Sequence, residues 1–140
     1  MKKAIIIIII TSLTCGIAAA RDKNNLPDVA NFFISHVFPE RTIIMMDGGR
    51  DYDVLLDDGT EITFDKHGDW EDIDASKSVY GIPLTILPNA IAKVVNLKFP
   101  GEKIINMEHD TDDNEFSVEM EKGGELKYNS AGTIIDIDLQ

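Results

Sequence analysis

Two stretches of the chain carry the same succession of apolar and polar positions. In the first, apolar residues fall at Ala30, Phe33, Ile34 and Phe38; in the second, at Ile91, Val94, Val95 and Phe99. Steps of three and four put each set on one stripe of a helix. Pro27 and Pro88 suit a first helical turn, where a missing N–H costs nothing. Pro39 and Pro100 end the helices, because the residue before a proline is pushed out of helical space. The period then changes to two. Thr42–Asp47 and Lys103–Glu108 read as first strands, rich in isoleucine and methionine. In the second strands, Tyr52, Val54 and Leu56 alternate with Asp51, Asp53 and Asp57, and Phe116, Val118 and Met120 alternate with Glu115, Ser117, Glu119 and Glu121. Ile62 and Phe64 match Leu126 and Tyr128 in the third strands, and Trp70–Ile73 and Ile134–Leu139 form the fourth. Asp58-Gly59 and Gly123-Gly124 are hairpin turns between the second and third strands. Alternation with one polar face predicts an antiparallel sheet covered on one side only.

The two stretches hold register. Leu26-Pro27 returns as Leu87-Pro88, Phe38-Pro39 as Phe99-Pro100, Ile43-Ile44 as Ile104-Ile105 and Met46 as Met107, all at an offset of 61. From Tyr52 the offset becomes 64: Val54/Val118, Gly59/Gly123, Glu61/Glu125, Phe64/Tyr128, Gly68/Gly132 and Ile73/Ile137. One step of three residues is one insertion in one turn, within an internal repeat. The expected fold is α+β: two tandem units of a helix and four antiparallel strands (26–74 and 87–139), forming one continuous sheet with both helices on one face. A single unit would be marginal alone, since one short helix must cover four strands. Residues 75–86 join the copies. They contain Val79, Tyr80, Ile82 and Leu84, which predicts a connection that crosses the molecule and buries those side chains.

The N-terminus reads differently. Lys2 and Lys3 precede an apolar run from Ala4 to Leu13, and Ala18-Ala19-Ala20 offers a small-residue cleavage site. Residues 1–20 therefore read as a signal peptide, too short to span a bilayer, and 21–140 as one mature domain. Cleavage after Ala20 fits better than lipidation at Cys15, whose preceding Ser12-Leu13-Thr14 is a poor lipoprotein pattern. The chain is then periplasmic or secreted, with no membrane insertion after processing. It has 13 basic and 25 acidic residues. Losing Lys2 and Lys3 leaves 11 − 25 = −14. Such a surface repels phosphate backbones and anionic lipid, which disfavours nucleic acid as a partner.

No catalytic set is legible. His36 falls on the first helix, His67 in a turn and His109 in another turn of the second copy, without metal-ligand spacing. The serines have no basic neighbour to activate them, and no phosphate-cradling glycine loop is present. Asp110-Thr111-Asp112-Asp113-Asn114, with Glu121 eleven residues after Asp110, imitates a calcium loop. The imitation fails at Glu115, where such a loop needs glycine. Asp and Asn also serve hairpin geometry alone. The expectation is no catalytic residue, no metal and no cofactor.

Ile43, Met45 and Leu55 alternate out of phase with the inward set and would make an apolar island on an acidic sheet, a mark of a contact surface; a bulge or covering loop would instead bury them. Trp70 and Tyr80 are the aromatic candidates for the same surface, although Trp70 matches Ile134 and also suits the core.

The motifs Leu87-Pro88, Phe99-Pro100, Ile104-Ile105, Phe116-Ser117-Val118, Gly123, Tyr128-Asn129, Gly132 and Ile137-Asp138, with Gly81-Ile82-Pro83-Leu84 before them, resemble the PepSY-like family of exported bacterial proteins. The resemblance spans about residues 26–139 in both copies. It implies a tandem fold similar to that of the β-lactamase inhibitor protein, which presents a concave sheet to an enzyme. No contact residue of that inhibitor carries over. Together these readings point to an exported, non-catalytic binding or inhibitor-like module that contacts a protein or peptide of the cell envelope through its open sheet face. The alternative is an acidic structural or cation-binding envelope protein. Oligomeric state is not legible.

Overall fold

The computed structural model describes residues 26–140, so the signal-peptide and Cys15 readings lie outside the described residues. The order is helix α1 (Asp28–Val37), strands β1 (Ile43–Gly48), β2 (Tyr52–Leu56), β3 (Glu61–Phe64) and β4 (Trp70–Asp74), a 3-10 turn (Leu84–Ile86), helix α2 (Asn89–Lys98), and strands β5 (Ile104–Asp110), β6 (Glu115–Met120), β7 (Glu125–Asn129) and β8 (Ile134–Asp138). Pro27 and Pro88 sit one residue ahead of their helices with extended ψ of 145° each. Phe38 and Phe99 close the helices, their N–H groups donating to the Ile34 and Val95 carbonyls. The fold is α+β, with two helices and one open, eight-stranded antiparallel sheet.

Strand order in the sheet follows chain order, β1 through β8, and every neighbouring pair is antiparallel. The alternation that predicted the strands decides what they bury. Val54, Leu56, Ile62, Phe64, Ile73, Met107, Val118, Met120 and Leu126 are all fully buried. They form one hydrophobic cluster with Ala30, Ile34, Phe38, Ile91, Val95 and Phe99 of the two helical segments. Phe33 of α1 makes edge-on contact with Phe64 at 5.8 Å and stacks against Trp70 at 6.2 Å. At the other helix, Phe99 lies so close to Gly124 that a Cβ there would overlap its ring.

The ladders are interrupted at matching places. Register shifts fall between Ile43 and Met45 in β1 and between Ile104 and Asn106 in β5. Others fall between Thr63 and Phe64 and between Lys127 and Tyr128. Each extra residue increases local twist and re-aims its neighbours.

The connection after β4 departs from the sequence expectation. Val79, Tyr80 and Leu84 are exposed, and only Ile82 of the four is buried. The cause is backbone pairing. The Ala75 and Ile82 N–H groups donate to the Ile105 and Ile104 carbonyls at 2.8 and 2.9 Å, so both ends of the stretch are pinned at the start of β5 and the residues between loop out to the β2–β3 turn, where Ser78 bonds Asp58. Gly81, at φ +71°, allows this approach; a Cβ there would sit 2.9 Å from that same carbonyl.

Candidate functional site

The apolar candidates separate on the structure. Met45 pairs with Leu55 across β1 and β2, on the face opposite Val54 and Leu56, and both are half-buried. Ile43 does not join them. The bulge makes Ile44 the extra residue, so Ile43 pairs with the inward Leu56 and packs against the core. Ile44 takes the outward place and is 55 % exposed. Trp70 also packs against the core. Tyr80 stands well exposed, with the Arg41 guanidinium 4.7 Å over its ring.

Tyr80 and Arg41 border a cleft of about 190 Å³, lined by Val37, Phe38, Pro39, Glu40, Asp58, Gly81 and Pro83 as well. Arg41 reaches Asp57 at 3.7 Å. Below them, the buried Ser78 hydroxyl donates to Asp58 Oδ2 at 2.6 Å, and Thr60 donates to Asp58 through its N–H (3.1 Å) and its hydroxyl (3.0 Å). Burial by itself raises the Asp58 pKa, but these donors, with the charge of Arg41, hold it below the usual carboxylate value. Asp58 thus accepts three hydrogen bonds that tie its turn to Ser78 of the connection after β4.

Sequence reasoning placed His109 in a turn; it lies in β5, opposite Phe116. The run Met107-x-His109 continues the inward phase of the strand, which was the available signal. His109 stacks on Phe116 at 4.3 Å, and Phe116 on Tyr128 at 4.9 Å. Trp70 leans against both His109 (5.7 Å) and Phe116 (5.8 Å). These rings carry the core from β4 to β7, and burial pushes the Tyr128 hydroxyl up to about 12. His109 Nε2 lies 3.1 Å from Asn114 Oδ1, and Asp110 Oδ1 accepts the N–H groups of Asp112 and Asp113. The acidic turn thus spends these oxygens on its own geometry. Among the described residues, no three His, Cys, Asp or Glu side chains are grouped to hold a metal ion.

The outward face of the sheet has a different chemistry. Register sets carboxylates directly opposite carboxylates: Asp47 and Asp53, Glu61 and Asp74, Asp72 and Glu108, Asp110 and Glu115, Glu119 and Glu125, Glu125 and Asp138. Lys127 is the sole lysine or arginine in any of the eight strands. It lies 3.9 Å from Glu125, while Lys77, from the connection after β4, lies 3.7 Å from Glu61. Near the middle of the face, Asp72 has its pKa raised to about 6. Burial is the largest cause, and the charges of Glu108 and Asp74 add to it, against a 3.2 Å hydrogen bond donated by Asn106 Nδ2. The apolar pair Met45 and Leu55 adjoins Asp47 and Asp53 at one edge of this face.

Comparison with known proteins gives a consistent placement. Residues 50–136 match the family described as "Putative beta-lactamase-inhibitor-like, PepSY-like". A "putative calcium-regulated periplasmic protein" of Bacteroides thetaiotaomicron is 29 % identical, with a TM-score of 0.70 over 82 % of this chain and 91 % of that one. A "putative periplasmic protein" of Bacteroides vulgatus is 32 % identical, with a TM-score of 0.67 over the same shares. A second from B. vulgatus, of unknown function, is 27 % identical, with a TM-score of 0.69 over 84 % of this chain and 95 % of that one. No curated protein matches the chain. Among the described residues no helix is long and apolar enough to cross a membrane. The family match takes in everything from the β1–β2 turn to the last strand, and on that ground the chain belongs to the PepSY-like family.

Proposed function

We propose that this protein is an exported, non-catalytic binding module of the cell envelope, and that its outward sheet face holds another protein or peptide. In this reading residues 1–20 are a removable leader. Residues 26–74 and 87–139 are two tandem units joined by 75–86, with both helices on one side of the shared sheet and the other side left free. The contacts of Phe33 with Phe64 and Trp70, and of Phe99 with the β6–β7 turn, support that placement. The three periplasmic neighbours support export. The observation that carries the function is the outward face itself. It is a broad array of carboxylates with an apolar corner at Ile44, Met45 and Leu55. Apolar side chains on a charged face have no role in the protein's own core and fit a contact surface.

Affinity capture from the envelope fraction tests this, with wild type beside a Met45→Thr/Leu55→Thr variant that leaves the core intact. The expected result is a partner retained by wild type and lost by the variant at unchanged melting temperature. Equal retention, or no partner above background, overturns the reading.

A cation-binding role is the second reading. It is favoured by the acidic face and by the calcium-regulated description of one neighbour. It requires millimolar calcium to raise the melting temperature beyond an equal ionic strength of sodium chloride. The absence of any metal-holding cluster among the described residues weighs against it.

A further inference from the structure

We propose that the partner of the outward face is a cationic protein surface, and that its docking relieves a repulsion which the fold carries within its own sheet. The proposal rests on the binding-module reading above and names the chemistry of the partner. Its basis is register. Carboxylates that face each other directly across a ladder destabilise it, and sheets ordinarily oppose glutamate with lysine. Here the opposed acidic pairs recur across the whole sheet, from Asp47–Asp53 near one edge to Glu125–Asp138 at the other. The inward phase of β1 to β7 is held by buried core residues, and that of β8 by the partly buried Ile134 and Ile137, so the outward acids cannot slip out of opposition without exposing apolar side chains. The opposition is therefore fixed by the fold, with its repulsion evident where Glu108 faces Asp72, and hairpin chemistry does not explain that pair, because Asp72 and Glu108 lie inside strands that no hairpin joins.

Spacing identifies the kind of counter-charge. Eight strands at ~4.8 Å spread the carboxylates over about 34 Å. No three acidic side chains among the described residues converge on one point. One metal ion neutralises such an array poorly. Lysine and arginine side chains distributed over a protein surface match it, and Arg adds paired hydrogen bonds to each carboxylate. The corner at Ile44, Met45 and Leu55 supplies an apolar contact beside those charges. Such a partner binds only the folded sheet, so its binding and the sheet's stability are linked.

This arrangement has a signature that ordinary acidity lacks. Neutralising an opposed pair makes the protein more stable and the complex weaker. The test measures binding of fluorescein-labelled deca-lysine by anisotropy, together with thermal melting, for three proteins: wild type, Asp72→Asn/Glu108→Gln on the face, and Asp28→Asn/Asp69→Asn away from it. The last two have equal net charge. The face variant is expected to bind about tenfold more weakly and to melt higher than wild type, and the control to bind within about twofold of wild type. Wild-type affinity should fall as sodium chloride rises from about 50 to about 200 mM. Equal weakening in both variants, a face variant that melts lower, or displacement of the peptide by calcium at equal ionic strength each overturns the proposal. If deca-lysine gives any of these results while envelope capture still depends on Met45 and Leu55, the module reading stands and the cationic partner falls.

Discussion

Replacing Asp72 by asparagine should stabilise this protein at neutral pH, which is unusual for the loss of a hydrogen-bonded side chain. The reason lies in the proton balance. Asp72 titrates at about 6 in the fold against 3.8 when unperturbed, because it is part-buried and faces the charges of Glu108 and Asp74. Its native state therefore binds the proton more tightly than the unfolded chain does. That contribution to stability is fully present below the unfolded pKa, near 4, and is lost as pH rises through about 6. Two pKa units at ~1.4 kcal/mol each set a ceiling of about 3 kcal/mol. Much of the carboxyl remains open to water, so screening reduces this to about 1–1.5 kcal/mol. Asparagine is isosteric and keeps an oxygen for Asn106 Nδ2. At pH 7 the variant should thus melt about 3–8 °C above wild type. The assay is thermal denaturation from about pH 3 to 8 on both proteins, read as the difference between them so that other carboxylates cancel. The advantage should shrink as pH falls below about 6, approach zero only below the unfolded pKa near 4, and reach a plateau above pH 7. An advantage independent of pH, or a variant less stable at pH 7, would refute the reasoning.

Three further substitutions probe other parts of the fold. Ile73→Ala removes a fully buried side chain where β4 meets β5 and should cost about 2–5 kcal/mol, seen as a lower urea midpoint at unchanged slope. Gly124→Ala drives a methyl into the buried Phe99 ring and should cost about 1–3 kcal/mol by the same measurement, with partial rescue by Phe99→Leu. Ser78→Ala takes the 2.6 Å donor from Asp58 and should cost about 1–3 kcal/mol at pH 7. Because the Asp58 pKa is depressed in the fold, that cost should fade as pH drops through the carboxylate range, which melts at pH 3 and pH 7 would check.

The parts of the fold that follow from local pattern were legible in the chain. A stripe such as Ile91, Val95 and Phe99, or an alternation such as Val118 and Met120, states which side must be buried, and these residues are buried. Pairing details were not legible, because they depend on where an extra residue is inserted. Period two alone gives Ile43 and Met45 the same face; the bulge at Ile44 sends them to opposite ones. The connection after β4 misled for a related reason. Its apolar residues satisfied a composition rule, but backbone pairing with Ile104 decided which of them went inward. At the candidate surface, the acidic phase of each strand was visible one strand at a time. That Asp72 meets Glu108 required a register between β4 and β5, which no single strand contains.

Because the strands lie in the sheet in the order of the chain, the first and last of them occupy opposite margins. A pull applied between those margins runs perpendicular to the strands and loads one row of backbone bonds at a time. The molecule should then peel open strand by strand at low force, as a zipper does, instead of resisting as a shear-loaded sheet would. A protein of this topology makes a compliant tether and a poor strut.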